Sequence, residues 1–306
     1  MAREEGTDHG SAVEDSYVFV EEFKTQFLSP KAIAVDGNGN VYVGCSGFRG
    51  GLEKFIRPNS GEGFEAAWKF GEGIKSYAAR GVAPAPAGEI LVTSKTESQV
   101  EVQVLSPEGR LLSSWGSSGE GDGQFRAPTG IACDRSGDIY VVEATRHGYK
   151  GGNRLQKFGP SGTFRIKWGT TGDGDGEFNL PTGVALDARG NVHVADTFNS
   201  RVQKFAPDGT FLAKWGTHGN ADGQLNCPQA LAFDVAGNLY VADTGNHRIQ
   251  KFASDGPLLA RWGQRGTGPG EFWLPCGIAV DGAGKVYVAD TINNRVQVFR
   301  PREKRA

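Results

Sequence analysis

From Gly183 to Gly216 the chain runs through four short hydrophobic patterns. GVALD, from Gly183, is almost continuously apolar, whereas NVHVAD, from Asn191, alternates apolar and polar positions. RVQKF and TFLAKWG follow on either side of a PDG turn. Period-two alternation bounded by Gly, Asp and Asn predicts β-strands. The tight ARGN and PDG connections predict antiparallel hairpins.

This unit recurs. FNLPTGVALDARGNVHVADTFNSRVQKFAPDGTFLAKWG from Phe178 superimposes on LNCPQALAFDVAGNLYVADTGNHRIQKFASDGPLLARWG from Leu225 and on FWLPCGIAVDGAGKVYVADTINNRVQVF from Phe272. Weaker copies begin at Phe27, Ser76 and Phe125, so successive starts lie 49, 49, 53, 47 and 47 residues apart. A four-stranded sheet of this size cannot bury both of its faces alone, and radial stacking supplies the missing partners. The sixth copy stops near Phe299 after three strands, and the absent fourth strand appears at the other end as YVFVEEF, residues 17–23. There Phe23 takes the slot that Trp68, Trp115, Trp168, Trp215 and Trp262 hold in the other copies. The prediction is an all-β, six-bladed propeller of four-stranded antiparallel blades, closed by an N-terminal strand that completes the C-terminal blade. Residues 17–300 form the propeller, 1–16 a disordered leader and 301–306 a basic tail.

Composition narrows the function classes. A net charge of -2 over 306 residues argues against a chain bound to nucleic acid by its overall field, while leaving room for a local basic patch. No apolar run approaches the ~18–20 residues of a membrane span. The opening MAREEGTDHGSAVEDS is acidic and has no apolar core, unlike a signal peptide. Cys45, Cys133, Cys227 and Cys276 fall in different repeats without CxxC spacing, which points away from disulfides and zinc ribbons. A reducing cytoplasm and a monomer are the expectation, although a removed signal peptide would leave the same sequence.

The pattern P-x-G-[IV]-A-x-D…G-[NK]-[VL]-[YH]-V-A-D-T-x-N-x-R-[VI]-Q-x-F of the last three copies resembles the NHL repeat. The resemblance extends over about residues 17–300 and implies the propeller fold. Functionally it implies a choice. NHL propellers include the RNA-binding domains of tripartite-motif-type proteins, sensor domains of bacterial kinases, and the peptidylglycine amidating lyase.

Two rings of positions follow from the repeats. The first joins the Asp of VADT to the Arg opening the third strand: Asp196 with Arg201, Asp243 with Arg248 and Asp290 with Arg295, with Glu143 and Arg154 in blade three. Blade one has Cys45 and Gly51 at these places, and blade two has Ser94 and Glu101. Acid and base are lost together, which predicts a partly buried ion pair. The second ring follows the recurrent Pro at the channel mouth: Lys31, Arg80, Thr129, Thr182, Gln229 and Cys276. Its two cations on adjacent blades suit a carboxylate or phosphate, or alternatively are solvated charges at the rim or pair with Glu101 or Glu143. Irregular loops add Phe48 and Arg49 in blade one and Arg146, His147, Tyr149 and Lys150 in blade three.

No cofactor or metal is expected. His9, His193, His218 and His247 are scattered, and the mouth ring has no counterpart of the amidating lyase's channel histidines. DGDGE at 173–177 reads as a turn, since its equivalents in other blades lack the acids. Two functions stay open. One is a binding or scaffold propeller recognising a protein, peptide or RNA on the face formed by blades one to three. The other is a lyase, hydrolase or cyclase acting on a small anion at the channel mouth, with Glu143 as acid or base, His147 as proton carrier and Lys31 with Arg80 as a clamp. Cys45 or Cys276 would serve as nucleophile only beside a base.

Overall fold

The alternating segments pair into six four-stranded antiparallel sheets in the computed structural model, which describes residues 17–47, 50–58, 61–72, 77–96, 99–145, 152–254 and 256–302. Blade four shows the plan, with strands Pro181–Leu186, Val192–Asp196, Arg201–Phe205 and Phe211–Trp215 in consecutive order. The innermost strands are Pro30–Val35, Ala78–Pro84, Pro128–Cys133, Pro181–Leu186, Pro228–Phe233 and Pro275–Val280. In blade six, Tyr17–Lys24 lies antiparallel to Arg295–Pro301 and supplies the fourth strand. The expected leader, residues 1–16, and the last four residues of the tail lie outside the described residues.

Each blade buries its faces against its two neighbours. Six apolar clusters form, and each draws its residues from two adjacent blades, such as Tyr140, Val142 and Leu155 with Val184, Val194 and Phe205. The cluster between blades six and one joins Phe23, Val296 and Val298 to Val43 and Phe55. The last strand of each blade is anchored by an aromatic opposite a fixed position of the third strand. Trp115 faces Val102, Trp168 faces Leu155, Trp215 faces Val202, Trp262 faces Ile249 and Phe23 faces Val296.

Blade one departs from the expected pattern. Phe70 occupies the anchor slot opposite Leu52, and Trp68 sits two residues earlier, opposite Lys54. The connection from Arg57 to Phe64 is longer than the PDG turns, so counting back from the strand end misplaces the tryptophan. Two residues keep the same face of a strand, so Trp68 still packs on the next blade. A Cβ at Gly109 would come within 2.7 Å of Trp68, as one at Gly162 would come within 2.6 Å of Trp115.

His193 holds the place that Tyr42, Tyr140, Tyr240 and Tyr287 hold elsewhere. It lies 3.4 Å from Asp187, edge-on to Trp215 and Phe233, and Lys204 also pairs with that carboxylate at 3.1 Å. Burial is the largest influence and pushes the imidazole below its ordinary value. A histidine with a depressed folded pKa binds fewer protons folded than unfolded, so stability falls as pH drops below about 6.5. His193→Tyr is expected to remove this loss, because Tyr240 makes the corresponding bond to Asp234 at 3.1 Å. Thermal melts at pH 8 and pH 5 check it: the variant should lose less on acidification than the wild type.

Candidate functional site

Every innermost strand begins with a β-bulge, and the bulges fall at one residue per blade. The register shifts between Pro30 and Ala32, Ala79 and Gly81, Pro128 and Ile131, Pro181 and Gly183, Pro228 and Ala230, and Pro275 and Gly277. A bulged residue leaves the ladder and can be aimed away from the pleat. Lys31, Arg80, Thr129, Thr182, Gln229 and Cys276 therefore converge on the channel, where all six line one cavity of about 340 Å³. The small residues next in line permit this approach. A Cβ on Gly130 would sit 2.5 Å from the carbonyl oxygen of Thr182.

The cavity is layered along its axis. Beneath the mouth and the small residues comes a ring of Ile33, Val82, Ile131, Val184, Leu231 and Ile278. No aspartate, glutamate or histidine is among its described lining residues. Thr182 is committed to the walls through its hydroxyl, which donates to the carbonyl of Gln229 at 2.8 Å. Lys31 is exposed, and Arg80 is half-buried. Burial alone lowers the Arg80 pKa, and no described side chain forms an ion pair or hydrogen bond with its guanidinium. Glu101 instead accepts from Gln103, and Glu143 is taken by Arg154. A cation that has given up water without gaining a partner is a site prepared for an anion.

The first ring lies apart from this cavity. Asp196 is fully buried, and its Oδ2 accepts from Arg201 at 2.7 Å, from Asn199 at 2.9 Å and from Gln203 at 3.1 Å. The same guanidinium donates to the carbonyls of Asp173, Gly174 and Glu177, so it staples the DGDGE connection to the blade. Blades five and six repeat the pair at 2.7 and 2.9 Å. The following threonine ties neighbouring blades together. Thr197, Thr244 and Thr291 donate to the carbonyls of Pro228, Pro275 and Pro30 at 2.8, 2.6 and 2.7 Å. Blade three has Ala144 at that place, and there Thr129 donates to Pro181 at 3.1 Å.

Glu143 belongs to this scaffold. It is fully buried and accepts from Arg154 at 2.8 Å, from Gln156 at 2.9 Å and from the Arg126 N–H at 2.8 Å. It neither lines the cavity nor meets solvent, so the structure does not present it as an acid or base for a channel ligand. Burial raises the pKa of both Glu143 and Asp196 despite their arginines. The arginine thus offsets a desolvation cost instead of adding a net gain. Cys45 is also fully buried and outside the cavity lining, whereas Cys276 lines the cavity but is almost fully buried. Burial pushes both thiols up, which disfavours the thiolate that a nucleophile requires. Phe48, Arg49, Arg146, His147, Tyr149 and Lys150 lie outside the described residues.

Two features escaped the sequence. Blade one, lacking the Asp–Arg pair, places Glu53 of its third strand beneath the loop instead. That buried carboxylate accepts from the N–H groups of Gln26 and Phe27 at 3.0 and 2.8 Å. Among the described residues, the exposed apolar side chains of the mouth face also lie mainly outside blades one to three. Trp273 and Ile292 of blade six, joined by a 3.1 Å backbone hydrogen bond, are 37% and 44% exposed. Leu28 of blade one is 56% exposed and adjoins them through the Ser29–Asn294 bond of 2.9 Å.

Residues 178–205, 225–252 and 272–299, spanning the first three strands of blades four, five and six, match the NHL repeat family. Blades four, five and six carry NHL repeats within a six-bladed β-propeller. Over 102 residues the propeller is 38% identical to NHL repeat-containing protein 3 of Mus musculus and of Homo sapiens. That match covers 32% of this chain and 26% of each relative, so the chain spans about a quarter of their length. Among solved structures, a streptogramin B lyase is similar over 94% of this chain and 98% of its own, at a TM-score of 0.60 and 12% identity. A Bacteroides thetaiotaomicron protein of unknown function matches with a TM-score of 0.67 and 16% identity, covering 94% of this chain and 73% of that one. At such identities the likeness is one of fold, and the fold hosts many functions.

Proposed function

We propose that the propeller is a non-catalytic recognition module. A protein partner docks on the channel-mouth face and inserts an anionic side chain between Arg80 and Lys31. The observation that carries this reading is Arg80, without an ion-pair or hydrogen-bond partner among the described residues, in a cavity whose described lining has no acid. Leu28, Trp273 and Ile292 offer apolar contact beside the mouth, in keeping with the aromatic anchors of protein interfaces. The described lining of the cavity offers neither a carboxylate nor an imidazole as general acid or base.

The test is a calorimetric titration with an oligo-glutamate peptide, a neutral Gly-Ser peptide and a single-stranded RNA. The acidic peptide is expected to bind, and Arg80→Gln should weaken it by about 10–100-fold, as for loss of a hydrogen bond to a charged group. Binding of RNA alone, falling steeply with salt, would overturn the protein-partner reading. Equal binding of acidic and neutral peptides would remove the mouth from it.

A further inference from the structure

The cavity continues below the cations into a ring that an anion alone leaves unfilled. We infer that the channel is a binding site for a small aliphatic carboxylate, its head at Arg80 and Lys31 and its tail within the ring of Ile33, Val82, Ile131, Val184, Leu231 and Ile278. This rests on the mouth being an anion site and adds the chemical class of what fills it.

The layering dictates that class. Mouth and aliphatic ring are two residues apart on each strand, or ~7 Å along the channel. A tail of about five carbon atoms spans that depth. Phosphate, sulfate and acetate reach the cations without touching the ring. A sugar acid would carry hydroxyls into a layer that supplies no hydrogen-bonding side chain. A short branched or linear acid satisfies both layers, since its carboxylate answers a guanidinium without a described partner and its methylenes cover the edges that six aliphatic side chains, otherwise packed between blades, turn to the cavity. Planar, bidentate pairing with Arg80 favours a carboxylate head, and Lys31 adds a second positive charge from the adjacent blade. Thr182, turned into the wall, leaves the aliphatic layer free of a competing polar group.

The same chemistry has two sources, a free acid and the C-terminal residue of a polypeptide ending in an aliphatic side chain. The experiment is a titration of the unmodified chain with acetate, butanoate, hexanoate, 4-methylpentanoate, 4-methylpentanamide and inorganic phosphate. A peptide ending in Leu is added with its C-terminus free and amidated. Affinity is expected to rise by about four-fold per added methylene from acetate to hexanoate. The amide should lose at least ten-fold against 4-methylpentanoate. Arg80→Gln should reduce the difference between acid and amide, leaving only what Lys31 contributes, and leave the thermal melt in place. If the free-ended peptide outbinds 4-methylpentanoate and its amidated form does not, the aliphatic-carboxylate class stands and a chain end is its source. If acetate and phosphate bind as tightly as hexanoate, the aliphatic ring plays no part. The further inference then fails while the mouth survives as an anion site. If no anion binds, both readings fail together. A second variant, Val184→Thr, keeps the volume, adds one hydroxyl to the ring, and should flatten the chain-length dependence without changing acetate binding. An unchanged chain-length slope in that variant would also overturn the placement of the tail.

Discussion

Arg248→Ala is expected to lower the stability of the whole propeller by ~3–5 kcal/mol, read as a shift of the urea unfolding midpoint. The guanidinium is buried and holds Asp243 at 2.7 Å. It also donates to the carbonyls of Asn220, Ala221 and Gln224, each at 2.8 Å. Its removal leaves a buried carboxylate without a counter-charge and a Gly-containing connection without its staple. Asp243→Ala/Arg248→Ala should lose less than the two single losses added together. A coupling of about 0.5–3 kcal/mol is the expected size for groups in one network. Should Arg248→Ala cost under ~1 kcal/mol, the pair would not be a structural support. Its conformity across blades four, five and six would then need another cause.

The chain itself supplies a comparison. Blade one lacks both partners yet closes the same loop, because Glu53 accepts the two loop N–H groups from a position that is glutamine in blades three to six. Gly51 stands where the arginine would be, and a Cβ there would run into the Phe27 ring. The joint loss of acid and base at Cys45 and Gly51 is plain in the sequence. The compensating carboxylate is not, since a Glu for Gln exchange in a strand looks like an exposed surface change.

The blade count, the ring closure and the six mouth positions were legible because each depends on spacing alone. Turn glycines and period-two alternation fix strand boundaries, and the recurrent Pro marks the bulged residue. The aliphatic ring was legible in principle, at two residues beyond each mouth position. What spacing does not convey is which charges already have partners. The sequence leaves Arg80 open between an anion site, a solvated rim charge and a pair with Glu101 or Glu143, and it offers Glu143 as a channel acid. Strand two turns Glu143 onto Arg154 in the blade, away from the channel, and Glu101 accepts from Gln103 instead. Similarly, Trp68 and Phe70 exchange roles through a longer connection, which no count from the strand end reveals.

Removal of residues 1–24 is expected to have the largest effect of all: loss of the cooperative transition and formation of soluble oligomers, seen by light scattering and thermal melts. Blade six would keep three strands, and Arg295–Pro301 would become an open edge, a template for pairing with other chains. Tyr17 would no longer stack on Trp262 at 4.3 Å or reach the Tyr240 hydroxyl at 2.6 Å. Phe23 would be missing from between Phe55 and Phe64, each 4.7 Å away. The single change Phe23→Ala should already cost ~3–5 kcal/mol, the usual range for a buried phenylalanine. A circular permutant separates pairing from latching. Placing residues 17–24 after Pro301 through a short Gly-Ser turn gives blade six the same third-to-fourth hairpin as blades two to five, with Tyr17 still opposite Pro301. This permutant should recover a monomeric, cooperative fold, but with reduced stability, because the ring is then held shut by side-chain packing between blades six and one without a covalent crossing. Equal stability of permutant and parent would mean that the crossing contributes nothing. A folded, cooperative truncation would mean that the six interblade cores alone close the ring.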